Sequence, residues 1–567
     1  MQMRRYRRCW NLSHSCCGLR SPRVAPVTEI IGHPGVQTTA VMRAAGVDHL
    51  FTLNGAHIWP FYEGARDRGM RIVDTRHEAT AVFAAEAWAK LTRGPGYAAL
   101  TAGPGVTNGV SAITSAAFNG SPVVVVGGRA PQLRWGSGSL QEFDHVPVLA
   151  PIVKEARTVT DPAAAADVMC DLVASAATPG RGPVFADFPL DTFQPHTVEL
   201  DEQWWSQVDT GSEPDPDALA AAVAALSSSE RPVMMVGSDA YWGDADVGIL
   251  ATATAWDIPC YANGLGRGVV PARHRLGFMR TRGLWRSRAD LIVVVGAPLD
   301  FRLSFGDFGG TPVVHLVDHE SKRASHVEGV VTVVGDISRS LMHLALEAPA
   351  SMRRDDWVGE VRAAEDAAAA TDRALLDDDH DPVRPGRVYG ELQRRLADDA
   401  VVICDGGDFA SYAGRLVEMS RPGCWLDTGP YGCLGNGLGY ALAARLARPS
   451  AQVVLLLGDG AAGFSLMDVD TLVRHRLPVV MVVGNNSMWG LEKHPMQMIY
   501  GWDEACDLAP GTRYDEVVRS LGGDGETVTR HDQVGPALDR AFASSVPYLV
   551  NVLTDPDDMY PRTSNLA

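Results

Sequence analysis

Short runs of consecutive apolar residues alternate with Ala-rich stretches of helical period along nearly the whole chain. The first set of runs is Met70–Val73, Tyr97–Thr101, Pro122–Val126 and Pro183–Asp187. A second is Pro232–Val236, Leu291–Val295, Pro312–Val317 and Val330–Val334. A third is Ala400–Cys404, Val453–Leu457, Pro478–Val483 and Pro547–Val552. These runs are continuous rather than alternating, which suits parallel strands covered by helices on both faces. Strand–helix alternation over this length predicts an α/β chain of doubly wound parallel sheets. Two stretches interrupt it. Residues 201–217 (DEQWWSQVDTGSEPDPD) are polar, and residues 365–386 pass from an Ala-rich helix into DDDHDPVRPG. Both read as interdomain linkers. The expected division is three domains, at 34–200, 215–350 and 385–567, after an arm over 1–33. No short-period repeat is visible.

Length agrees, since 567 residues at roughly 150 per domain give three to four domains. With 46% hydrophobic and 21% charged residues, the composition is that of a globular protein. The formal net charge of −18 opposes broad binding to nucleic acid or to an anionic membrane. No apolar run reaches the ~18 residues of a bilayer span. Nine cysteines include no Cys-x-x-Cys and make no disulfide framework, which fits a reducing, cytoplasmic setting. The first 28 residues carry Arg4, Arg5, Arg7, Arg8, Arg20 and Arg23 and no acid. Such an arm is a disordered tail, a start-site artefact or a transit peptide.

The strongest chemistry lies in the third domain. The strand Val453–Leu457 runs into Gly458-Asp459-Gly460, and the strand Pro478–Val483 ends at Gly484-Asn485-Asn486. In open parallel sheets, ligands bind beyond the carboxyl ends of strands. A carboxylate and an amide at two such ends are hard oxygen donors of the kind that hold Mg²⁺ beside phosphates. Gly-Asp-Gly alone is also an ordinary turn. The paired Asn485-Asn486, placed 27 positions from Asp459 to Asn486, makes the turn reading insufficient.

Together these segments resemble the thiamine-diphosphate signature of decarboxylases and carboligases, and most closely the acetolactate synthase large-subunit-like group. The resemblance runs over roughly 38–560. It implies a pyrimidine-binding first domain, a central Rossmann-like domain and a diphosphate-binding third domain. It implies Mg²⁺ held by the Asp459 and Asn486 side chains and the Met488 carbonyl. Gly407-Asp408-Phe409 would cradle the diphosphate, with Gly458, Gly460 and Ala461 around it. Cys433 and Leu434 match the segment that supports the aminopyrimidine, Leu434 as the wedge that keeps the cofactor bent. In the first domain, Glu78 matches the pyrimidine-side glutamate, and Asn54, Gly55 and Asn108 match that end of the pocket. A carboxyl group there favours the imino tautomer, whose nitrogen removes the thiazolium proton. A lone Glu at a helix start is otherwise a cap or dipole partner, and a loop Gln an ordinary solvated residue. Gln141, in Gly138-Ser139-Leu140-Gln141-Glu142, inherits a role at the reaction centre.

The resemblance further implies decarboxylation of pyruvate and joining to a second 2-keto acid, giving 2-acetolactate in branched-chain amino acid biosynthesis. It implies a homodimer or tetramer with Glu78 and Asp459 meeting from different chains, and it admits a small regulatory subunit. The alternative is a 2-hydroxyacyl-CoA lyase or oxalyl-CoA decarboxylase. Gln141 favours the first reading, and the central loop Gly264–Pro271 the second. The segment Asp300-Phe301-Arg302 resembles the flavin-binding branch, so FAD, ADP or nothing remains open for the central domain. Pro495 stands where the biosynthetic enzymes carry a Trp, and Trp489 is out of register, which leaves the acceptor open. Lys493 and His494 are substrate contacts or surface charges.

Overall fold

The computed structural model describes residues 27–201, 203–208 and 211–560. Among these, three parallel sheets form three α/β layers. The N-terminal sheet has the order Arg71–Asp74, His49–Thr52, Gly96–Leu100, Val123–Arg129, Val184–Pro189, Glu155–Thr158. The central sheet runs Cys260–Ala262, Pro232–Val236, Leu291–Val295, Val313–Val317, Val330–Val334. The C-terminal sheet runs Trp425–Asp427, Val401–Asp405, Val453–Gly458, Val480–Asn485, Tyr548–Leu553, Asp524–Val528. The first and third domains share one strand order, although no repeat is legible in the sequence. In each domain the first strand has neighbours on both sides, which creates a topological switch point where ligands bind.

The interior strands are buried on both faces, as Val123–Arg129, Leu291–Val295 and Val401–Asp405 show throughout. That is why they read as continuous apolar runs. The helix Glu78–Thr92 begins where His77 Nδ1 accepts the Ala79 N–H at 3.1 Å, so His77 is a cap. Its buried Ala face packs on the helix Gly437–Ala447, joining the first domain to the third. Glu86 and Lys90 face Tyr440 across this contact. Lys90 Nζ lies 2.9 Å from Glu86, and the Tyr440 hydroxyl donates to Glu86 at 2.7 Å.

Three expectations need revision. The arm does not extend to 33, because Val27–Gly32 is a strand paired antiparallel with His196–Asp201, and Ile30 is buried. The arm's six arginines lie outside the described residues. The stretch 365–386 is not simply a linker. The helix Asp355–Leu376 buries Trp357, Val358 and Val361 in the central core. Glu365 and Asp372 on that helix also hold Arg280. The stretch 201–217 includes the helical turn Trp204–Gln207 and the start of the helix Pro216–Ser228, capped by Asp215. No helix among the described residues is long and apolar enough to cross a membrane.

Candidate active site

The C-terminal switch point holds a cavity of ≈ 350 Å³ beyond the ends of Val401–Asp405, Val453–Gly458 and Val480–Asn485. Gly407, Asp408, Phe409, Leu434, Gly458, Asp459, Gly460, Ala461, Asn486 and Met488 all line it, as the motifs required. Cys433 does not, although Gly432 and Leu434 on either side do. Burial pushes the Cys433 thiol up to about 11.

Asp459 is 3% exposed and opens the helix Asp459–Ser465. One carboxylate oxygen accepts the Gly460 N–H at 3.0 Å and the other the Ser487 N–H at 2.7 Å. Burial dominates these bonds and pushes its pKa up to about 6. A carboxylate disfavoured in this way gains from a nearby cation. Asn486 Oδ1 accepts the Met488 N–H at 3.3 Å, turning the strand end back over the cavity. Asn485 is different. It is buried, with Nδ2 donating to Thr512 O and Asn551 Oδ1, so it fixes the strand end and leaves Asn486 as the candidate ligand. One carboxylate, one amide oxygen and one backbone carbonyl make a hard donor set that suits Mg²⁺ completed by phosphate oxygens. Among the described residues no group of three His, Cys, Asp or Glu is placed to hold a metal ion.

The opposite wall is the turn Gly406-Gly407 into the helix Gly407–Leu416. Gly406 has φ +30°, and a Cβ there would lie 2.2 Å from Leu434. The glycine thus lets the Leu434 wedge sit against the backbone. Asp405, overlooked in the sequence, holds the far side. It is fully buried and accepts the Gly435 and Gly437 N–H groups at 2.9 and 3.0 Å. Trp489 and Glu492 also line the cavity. Lys493 is paired with Asp507 and Asp503, which favours the surface-charge reading, and His494 Nε2 is buried without a hydrogen bond.

The second half-site is at the N-terminal switch point. Glu78 is 7% exposed at the helix start, and Asn108 Nδ2 donates to its Oε2 at 3.0 Å. Asn54 Oδ1 accepts from Trp59 Nε1, and Gly55 packs closely on Thr101. Gln141 has φ +58° and packs against Gly103. The turn is fixed from below, since His145 Nε2 accepts the Gly103 N–H at 2.9 Å. The other ring nitrogen therefore carries the proton and donates to Asp187 at 2.8 Å, with Arg129 on the same carboxylate. None of these N-terminal residues lines the C-terminal cavity.

Asp468 anchors the Glu78 segment to the third domain. It accepts the Arg76 N–H and the Thr80 hydroxyl, both at 2.7 Å.

Models of the thiamine pyrophosphate enzyme family match all three domains. They cover the N-terminal TPP binding domain at 36–148, the central domain at 219–344 and the C-terminal TPP binding domain at 405–552. "Acetolactate synthase large subunit IlvG" of Mycobacterium tuberculosis is 49% identical over 538 residues, 94% of this chain and 98% of the relative. "2-hydroxyacyl-CoA lyase 2" of Homo sapiens is 32% identical over 572 residues, 92% of this chain and 90% of the relative. Among solved structures, a thiamine diphosphate-dependent 4-hydroxybenzoylformate decarboxylase of Rhodococcus jostii RHA1 has a TM-score of 0.79. It is 22% identical, covers 92% of this chain and 99% of its own, and bears on the fold alone. With the motifs on the expected strand ends and every domain matched, the chain belongs to the thiamine pyrophosphate enzyme family.

Proposed function

We propose that the chain is a thiamine-diphosphate- and Mg²⁺-dependent carboligase of the acetolactate synthase type, making 2-acetolactate and CO₂ from pyruvate. The observation that carries this reading is the gathering of the motif residues at the two switch points, joined to 49% identity over nearly the whole chain. Thiamine diphosphate, when bound, would supply a nucleophilic thiazolium carbon and a cationic ring that acts as sink for the electron pair left by decarboxylation. The protein's own groups do the rest. Asp459, Asn486 and the Met488 carbonyl hold the metal, and the Gly407 turn and the Gly458–Ala461 turn hold the diphosphate. Glu78 holds a proton at the pyrimidine end, and Asn108 fixes its carboxyl by a hydrogen bond. Gln141, on a loop pinned through Gly103, offers an amide to the substrate carbonyl or carboxylate.

The two half-sites close between two copies of the chain, with Glu78 from one and Asp459 from the other. Exposed Leu133, Leu140 and Phe143 on the first domain, and Phe464 and Met467 on the third, supply apolar surface for that contact. The test is an assay of purified protein with pyruvate, Mg²⁺ and thiamine diphosphate. Acetolactate formation is expected. Cleavage of a 2-hydroxyacyl-CoA without acetolactate from pyruvate would overturn the reading in favour of a lyase.

A further inference from the structure

The central domain has its own switch point, between Pro232–Val236 and Leu291–Val295. A flavin or adenine dinucleotide would set its pyrophosphate there, on glycines and free N–H groups at the strand ends. The chain fills that seat itself. Gly237 abuts the opposite turn so closely that a Cβ would lie 2.4 Å from both Ala297 Cβ and Gly296 O. Gly296, with φ +62°, presses in turn on Ala240 N. The N–H that Asp239 would offer a phosphate already donates to Gly296 O at 2.9 Å. On the other side the loop Gly264–Gly266 folds over the strand end, and the Leu265 N–H donates to Ser238 Oγ.

The charge balance points the same way. Asp239 sits where a phosphate would go, buried and 2.6 Å from Lys322. Lys322 is also 3.1 Å from Asp318, and Asp318 is 3.1 Å from Arg181. Lys322 and Arg181 are therefore matched by carboxylates of the chain. Lys154 donates to the Ser175 carbonyl, and Arg282 to the Ala262 carbonyl at the end of the strand Cys260–Ala262. The Asp300-Phe301-Arg302 segment is also self-satisfied, because Arg302 closes on Asp300 at 2.6 Å. A dinucleotide would have to break these pairs and approach a buried carboxylate.

The same residues reach the first domain. Arg181 belongs to it. The Tyr241 hydroxyl donates to Lys90 O at the end of the Glu78 helix, and Arg93 stacks on the Tyr241 ring at 4.0 Å. We propose that the central crevice takes no nucleotide and serves instead as a brace that fixes the Glu78 helix from its C-terminal end. The residues present do not fit FAD or ADP, and no step of the reaction is routed through either.

The experiment uses the full-length protein as purified. Its visible spectrum and the nucleotides released by denaturation are measured, and its Tm is followed with ADP, FAD or thiamine diphosphate plus Mg²⁺. Expected are no flavin band, no adenine nucleotide near one per chain, and a Tm rise with thiamine diphosphate alone. That arm tests the proposed function separately. Tyr241→Phe, which removes only the hydroxyl, should lower Tm by about 1–3 °C, and Asp318→Ala should lower it further. Stoichiometric FAD or ADP, or a Tm rise of about 2 °C or more with either, would overturn the first half. An unchanged Tm in both variants would overturn the brace.

Discussion

At the scale of single residues, the proposed site divides into groups that would touch the cofactor and groups that hold those groups. Glu78→Gln keeps the Asn108 contact but cannot carry the acid's proton. Its turnover should fall by about 100-fold or more while circular dichroism stays that of the parent. Asp459→Ala removes the carboxylate from the metal set, and calorimetric titration should then show no Mg²⁺-dependent binding of thiamine diphosphate. Asp405 gives a pH signature. Burial pushes its carboxyl from 3.8 up to about 7, against two backbone N–H bonds that favour the charged form. A carboxyl raised on folding stabilises fully below its unfolded value, and the contribution is lost as pH rises through the folded one. Tm should therefore carry a decline between about pH 4 and 7 that Asp405→Asn lacks; equal slopes would contradict it. Asp459 and Asn486 drew attention in the sequence because a carboxylate and an amide stand at strand ends, and Glu78 only through the family resemblance, since a Glu at a helix start is otherwise an ordinary cap. Asp405, His145 and Asp468 drew none. Each accepts a backbone N–H from a segment 30, 42 and 392 residues away, and no local pattern announces such a partner.

At the scale of elements, the contact between Glu78–Thr92 and Gly437–Ala447 encloses a buried ionic cluster. Glu86 and Lys90 are nearly inaccessible and share Tyr440. Removing one partner leaves a buried charge, so Lys90→Met or Glu86→Leu alone should cost about 3–5 kcal/mol of stability. The double variant should recover much of that in denaturant unfolding, and additive losses would argue against a coupled pair. The strand pattern shows what sequence can and cannot reveal. The interior runs declared themselves because both faces are buried, with the exception of the four-residue strand His49–Thr52, which is too short to stand out as a run. Glu155–Thr158, Trp425–Asp427, Cys260–Ala262 and Asp524–Val528, all sheet edges, did not: Trp425–Asp427 and Cys260–Ala262 are only three residues long, and Glu155–Thr158 and Asp524–Val528 mix polar with apolar positions. The pair Val27–Gly32 and His196–Asp201 was missed for a related reason. It is a two-stranded ribbon with few buried positions, and its partner strands lie at opposite ends of the first domain.

At the scale of the whole molecule, two half-sites per chain predict that lesions on different chains complement. Mixing Glu78→Gln and Asp459→Ala proteins, with exchange of subunits, should restore up to about a quarter of parental activity, because half the dimers are mixed and each has one intact site. No recovery after verified exchange would mean that each site draws both residues from one chain. The three-domain division was legible from the recurrence of strand runs. The shared strand order of the first and third domains was not, because topology conserves strand positions and not residues. The Asp468 anchor has a further cost in time. The Arg76 N–H waits for a carboxylate 392 residues downstream, which a ribosome delivers roughly 20–80 s later. Over that interval the nascent first domain bears an uncovered face around Phe83 and Ala84, and its Glu78 end acquires its setting only late in synthesis.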